Sequence, residues 1–140
     1  MKRAEKAERP TRHGSAFVLV RTDGAILLRR RADKGLLGGM TEVPGTEWTS
    51  RRNDLPPGAE VPIQADWKRI AGTVVHVFTH FRLELNVYCA RPATMEKAPA
   101  GHWWAAAPDL PGEALPSVMR KVIEAAVPGA TKRKARGQAQ

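Results

Sequence analysis

Between Phe81 and Ala90 the chain alternates more strictly than anywhere else along its length. Phe81, Leu83, Leu85, Val87 and Cys89 fall on one side of an extended backbone, and Arg82, Glu84, Asn86 and Tyr88 on the other. Successive side chains of a strand point to opposite faces, so this run predicts a strand with one face on a core and one toward water. Residues 15–21, SAFVLVR, give a different signal: a nearly continuous β-prone apolar run, as in a strand covered on both faces.

The other elements are read around these two. Thr22-Asp23-Gly24 is a turn signal, and residues 25–31 (AILLRRR) follow as a return strand, which predicts a hairpin. The glycine-rich GLLGGMTEVPG of residues 35–45 predicts irregular backbone around a short extended piece, and residues 46–66 read as a long Pro-rich loop. Residues 72–78 (GTVVHVF) form another strand candidate, with Thr79-His80 at the hairpin tip before Phe81. After a Pro/Ala-rich loop at 91–100, HWWAA at 102–106 reads as a final short strand. Leu115, Val118, Met119, Val122, Ile123 and Ala126 then fall on one helical face, with Pro116 suited to the first helical position and Pro128-Gly129 as the stop. The sum is one α/β (α+β mixed) domain with a mixed β-sheet and a C-terminal amphipathic helix.

Charge is unevenly placed. The chain of 140 residues has a net charge of +9. Residues 1–13, with Lys2, Arg3, Lys6, Arg9 and Arg12 against Glu5 and Glu8, carry +3; residues 131–140, with Lys132, Arg133, Lys134 and Arg136, carry +4. Residues 14–130 are left with only +2. The ends therefore read as a flexible basic arm or linker (1–13) and a disordered basic tail (131–140) around a domain at 14–130. Such ends hold phosphate through counterion release without reading sequence, or are simply solvated. One cysteine, Cys89, excludes an internal disulfide and a four-cysteine cluster within this sequence. His13, His76, His80 and His102 show no metal-like spacing, so no metal is expected. No apolar run reaches bilayer-spanning length and the N-terminus leads into no signal-like stretch, so the expectation is a cytoplasmic, nucleoid-associated protein with no membrane partner.

Three stretches occur in order across residues 35–123: GLLGGMTEVPGTEW, HVFTHFRLEL and ALPSVMRKVI. Together with the opening strands they resemble the C-terminal domain of MutY-type adenine DNA glycosylases, over nearly all of residues 14–127. The resemblance implies a Nudix-like fold and recognition of 8-oxoguanine opposite adenine in duplex DNA, within base excision repair. It implies no catalytic residue and no cofactor in this sequence. The hydrolytic, glycosidase chemistry and an iron–sulfur cluster belong to an N-terminal glycosylase catalytic domain, which is the implied protein partner. A monomer is expected. The family's recognition loop commonly reads Phe-Ser-His; here it is Phe78-Thr79-His80, which keeps the hydroxyl. Thr41 and Val43 stand where many members have aromatics around Glu42, which alters packing near the glycine-rich loop.

The chemistry explains why a hydroxyl suits such a loop. Guanine offers N7 to the major groove only as an acceptor. Oxidation at C8 adds a carbonyl acceptor and makes N7 an N–H donor, and a Thr hydroxyl both donates and accepts. Phe78 is then a candidate apolar wedge, and His80 a phosphate contact or a support of the loop. Read without the resemblance, Phe78 is a core aromatic and Thr79 an ordinary turn hydroxyl. Arg29, Arg31, Lys34, Lys132, Arg133 and Lys134 are candidates for the DNA backbone, with alternation sending Arg30 to the opposite face; a solvated surface is the plain alternative for them. Trp48, Trp67, Trp103 and Trp104 read as packing.

Two rival functions are open to test. A Nudix hydrolase of oxidised nucleotides needs the box Gx5Ex7REUxEExGU, whose clustered carboxylates hold Mg²⁺. Anchored at Gly45, that pattern meets Arg51 in place of the first Glu, Ala59-Glu60 in place of Arg-Glu, and Ile63-Gln64 in place of the paired Glu. Pro56, Pro57 and Pro62 oppose its helix. A stand-alone basic nucleic-acid-binding module is the other rival, although RNP-type aromatic signatures are missing.

Overall fold

The computed structural model describes residues 9–32, 35–51, 61–91 and 97–132. Strand β6 (Arg82–Ala90) is its organising element. On one edge it pairs in parallel with β1 (Thr11–Leu19), in register from Thr11 opposite Arg82 to Leu19 opposite Ala90. On the other edge it pairs antiparallel with two short strands in succession, β5 (Val74–Val77) beside its start and β4 (Lys68–Arg69) beside its end. Gly72, at φ +86°, lies in the break between those two.

A second, antiparallel sheet has the order β3-β2-β7, with β2 at Ile26–Arg30, β3 at Thr41–Glu42 and β7 at His102–Ala105. Helix α1 (Ser117–Ala126) lies on the first sheet against β5, β6 and β1, and buries Val118, Met119, Val122 and Ile123. The main core gathers these with Val18, Ile26, Leu28, Leu83 and Leu85.

Several expectations change. The hairpin foreseen for residues 15–31 is not formed as a ladder. β1 and β2 share only the bridge Val20–Ile26 and a bond from Arg21 N to the Ala25 carbonyl, then diverge into different sheets. The reason lies in β1 itself: Phe17, Val18 and Leu19 are buried, so the backbone N–H and C=O groups there are cut off from water and must be paired along both edges. β6 supplies one. The segment after β3 supplies the other, through Phe17 N to the Pro44 carbonyl (2.8 Å), Thr46 N to the Ser15 carbonyl (2.9 Å) and a reciprocal pair between His13 and Thr49. Gly45 permits this approach, since a Cβ there would lie 2.5 Å from the Ser15 oxygen. Part of the expected 46–66 loop is thus held against the sheet, while residues 52–60 lie outside the described residues.

β1 also starts at Thr11 rather than Ser15, so Thr11–His13 are strand and not arm. Tyr88, placed by alternation on the polar face of β6, is buried, because Phe17 and Trp67 cover that end; Phe17 lies 5.9 Å from Tyr88 and 5.5 Å from Trp67. Pro116 caps α1 from just outside instead of opening it. Past the helix, Gly129 takes φ +88°, and the Glu124 carboxylate accepts bonds from Gly129 N (2.6 Å), Thr131 N (2.9 Å) and the Thr131 hydroxyl (2.7 Å). Thr131, assigned by composition to the tail, is therefore a buried part of the domain. The four tryptophans pack, Trp48 and Trp103 on the main core and Trp67 and Trp104 on a smaller cluster around Leu19, Leu27 and Ala90. No helix among the described residues is long and apolar enough to cross a membrane.

Candidate functional site

β2 ends in Arg29 and Arg30, Arg31 follows directly, and the pleat separates the three as alternation requires. Arg30 turns one way and gives Nε to the Gly39 carbonyl at 3.1 Å. Arg29 and Arg31 turn the other way, onto Glu42, which stands opposite Arg29 in the β2–β3 register. Arg29 Nε meets one carboxylate oxygen and Arg31 Nη1 the other, both at 2.8 Å. The Glu42 side chain is only 7% exposed, so this pairing is a buried carboxylate held between two part-buried guanidiniums. Arg29 Nη2 also reaches the Gly45 carbonyl (3.1 Å), and Arg31 Nε the Leu36 carbonyl (3.1 Å). These bonds tie the glycine-rich loop to β2. That loop turns sharply, with Leu37 at φ +58° and its side chain packed on the core. Thr41 and Val43 are buried where bulkier rings would need more room.

From Arg31 a row of stacked groups leads to the β5–β6 tip. The Arg31 guanidinium lies over Trp48 at 4.6 Å from the ring centre. Trp48 stacks on Phe78 at 6.1 Å and 28°, and Phe78 meets Phe81 at 4.8 Å. Arg12 closes the row, its guanidinium 4.6 Å from the Phe81 centre. His76 presents its ring edge-on to Phe78 at 4.8 Å and sits 3.1 Å from Lys121 Nζ through Nδ1. Burial, and then the Lys121 charge, hold this imidazole below its usual pKa, so its neutral form accepts from the ammonium. Beside the row opens a cleft of about 500 Å³ lined by Arg12, Arg29, Arg31, Leu36, Trp48 and Phe81, among others.

Phe78-Thr79-His80 forms the expected tip, with Phe78 the middle member of this row. Phe78 N donates to the Phe81 carbonyl at 2.8 Å, which closes a loop of two residues. Phe78 is half-buried in the aromatic cluster, while Thr79 and His80 are exposed. Arg31 reaches the row behind the tip through Trp48, and Arg29 lines the same cleft. Lys132 does not: it lines a separate groove with Asp109, Glu113 and Gly129. Lys34, Arg133 and Lys134 lie outside the described residues. Arg9, Arg12, Trp48 and Phe81 were missed as site residues. Continuing the β1 alternation back through Gly14 to Arg12 is the signal that finds Arg12. Among the described residues no three of His, Cys, Asp and Glu form a group that could hold a metal. Cys89 is half-buried, and burial, opposed by Arg91, raises its thiol pKa.

Over residues 15–125 the chain matches the NUDIX domain family. It is 29% identical over 129 residues to the human adenine DNA glycosylase, a stretch covering 81% of this chain and 23% of that protein. The chain thus spans less than a quarter of that relative's length. The C-terminal domain of mouse MUTYH, solved in complex with human PCNA, superposes with a TM-score of 0.61 at 21% identity, covering 82% of this chain and 86% of that one. The MutT protein of Methanosarcina mazei Go1 gives 0.62 at 21% identity (84% and 93% covered), and the MutT NUDIX hydrolase of Burkholderia pseudomallei 0.58 at 22% (81% and 96%). The structural likenesses show a mixed α/β Nudix-like fold, shared by a glycosylase domain and by hydrolases alike.

Proposed function

This chain belongs to the NUDIX domain family, and we propose that it serves as the lesion-reading domain of an adenine DNA glycosylase, recognising 8-oxoguanine opposite adenine in duplex DNA. The similarity to the human glycosylase supports the class. The observation that carries the reading is the tip: its base is locked by Phe78 into a stacked row that borders a cationic cleft, while Thr79 and His80 stand exposed. A hydroxyl presented on a fixed turn can accept from the N7–H of the oxidised base or donate to its new carbonyl. Phe78 supports that turn rather than projecting as an isolated wedge. Arg29 and Arg31 leave one net positive charge around Glu42 and supply field for the DNA backbone. Removal of adenine is the work of a separate catalytic domain with its iron–sulfur cluster.

The test is a titration of the full chain with duplexes that differ only in 8-oxoguanine or guanine opposite adenine. Thr79→Ala is expected to reduce the lesion preference by about 1–3 kcal/mol, and Thr79→Ser to restore most of it. An unchanged preference in Thr79→Ala, with the loop still folded, would remove the hydroxyl from the reading.

The fold shared with MutT proteins favours a second reading, a hydrolase of oxidised nucleotides. The sequence around the box speaks against it, with Arg51 and Ile63-Gln64 where metal-holding carboxylates belong. The expected outcome is no pyrophosphate release from 8-oxo-dGTP with Mg²⁺ or Mn²⁺. Metal-dependent release that survives repurification and is lost on mutating Glu42 or Glu47 would reinstate the hydrolase.

A further inference from the structure

The start of β1 brings two more arginines to the tip, and their bonding differs from that of the β2 pair. Arg29 commits Nε and Nη2 to Glu42 and Gly45, and Arg31 commits Nε and Nη1 to Leu36 and Glu42. Arg12 is exposed and lines the same cleft, yet among the described residues its side chain has no carboxylate or carbonyl partner. Its guanidinium lies over the Phe81 ring, 4.6 Å from the ring centre. A guanidinium held over an aromatic ring spends none of its N–H groups on an oxygen acceptor and leaves them for another partner. Those are the groups that grip phosphate oxygens in pairs.

The backbone fixes where this cation stands. Arg12 pairs with Leu83 and Thr11 with Arg82 in the β1–β6 ladder, and Arg82 N donates to the Pro10 carbonyl at 2.9 Å. One step earlier, Arg9 Nε donates to the carbonyl of Thr79 itself at 3.0 Å. Residues 9–12 therefore run beside the base of the tip, as part of the same surface.

We propose that Arg12 is a binding site for a backbone phosphodiester of the DNA strand that meets the tip, and that Arg9 is a positioning residue holding Thr79 through its carbonyl. This rests on the reading of the domain as a lesion-recognition module, and it separates two jobs that a basic arm would blur. Arg12 supplies affinity without regard to the base; Arg9 supplies discrimination through loop geometry.

The experiment titrates the full chain with the paired 8-oxoguanine and guanine duplexes over a range of salt, with thermal unfolding confirming each variant's fold. Arg12→Gln is expected to weaken both duplexes alike, by about tenfold, because one charge-assisted contact is lost. Its slope of log K against log salt should become shallower by about 0.9, the value for one phosphate on B-form DNA. Arg9→Met keeps a long unbranched side chain but removes every N–H donor, so it should lose lesion preference, while the salt slope should hold because Arg9 is spent on the Thr79 carbonyl and not on phosphate. A slope unchanged in Arg12→Gln overturns the phosphate site, and full preference in Arg9→Met overturns the positioning role. Failure of the unmodified chain to distinguish the duplexes overturns the lesion reading itself, a result visible before any variant is made.

Discussion

Two polar constellations adjoin one stacked row, and they are built on opposite principles. Around Glu42 the polar atoms are turned inward, with a buried carboxylate saturated by Arg29 and Arg31. At Thr79-His80 they are turned outward, on a loop closed by a single backbone bond and steadied by Arg9. Breaking an internal pairing leaves uncompensated charge, whereas removing an exposed hydroxyl leaves nothing buried. The first constellation lines the cleft, and the second stands exposed at the tip.

The comparison predicts a gradient of effects. Glu42→Ala should be the most disruptive, at about 3 kcal/mol of stability, near the lower end for a broken buried pair because both guanidiniums keep some water contact. Urea denaturation measures it; a loss within about 0.5 kcal/mol, the usual range for surface changes, would show that the triad is not structural. Phe78→Ala should come next, because the ring links Trp48 to Phe81 in the middle of the row. It should cost about 2 kcal/mol, less than the 3–5 kcal/mol of a fully buried Phe, and should weaken binding to damaged and undamaged duplex together. Lesion preference lost with stability intact would instead make Phe78 a direct reader.

The smallest effect lies away from the site. Burial opposes ionisation of Glu124, but the Thr131 hydroxyl, the Gly129 and Thr131 amides and the Lys132 charge outweigh it, so its pKa is lowered from 4.5. A lowered carboxyl pKa stabilises the fold above the unfolded value and the gain is lost as pH falls through the folded one. Unfolding midpoints of the native chain should therefore drop below about pH 4.5 more steeply than those of Glu124→Gln. Parallel curves would mean that the turn after α1 does not depend on this carboxylate. DNA binding at neutral pH should barely notice the change.

Much of the architecture was legible because it is written locally. The apolar stripe from Val118 to Ile123 marks α1, and Gly129 ends the turn after it where composition says a helix must stop. Alternation marks β6 as far as Val87, and the turn at residues 22–24 stands where Asp23 and Gly24 put it, with Gly24 at φ +90°. The tip was legible through the motif Phe78-Thr79-His80. The row behind it was not, since Trp48, Phe81 and Arg12 are far apart in sequence and carry no shared motif.

The sequence by itself determined which residues are extended or helical, which faces are apolar, and which hydroxyl stands at the tip, because periodicity and turn chemistry act over a few residues. Only the tertiary structure decided the pairings. A hydrophobic pattern states that both faces of β1 must be covered, but not that β6 would lie parallel to one edge and residues 44–49 along the other. That choice carried Arg12 out of an apparent arm and onto Phe81. It also set Glu42 across from Arg29, converting two apparently free surface cations into the braced wall of a cleft. Long-range pairing depends on the whole packed core rather than on any local segment, and so it becomes visible only once the chain has folded.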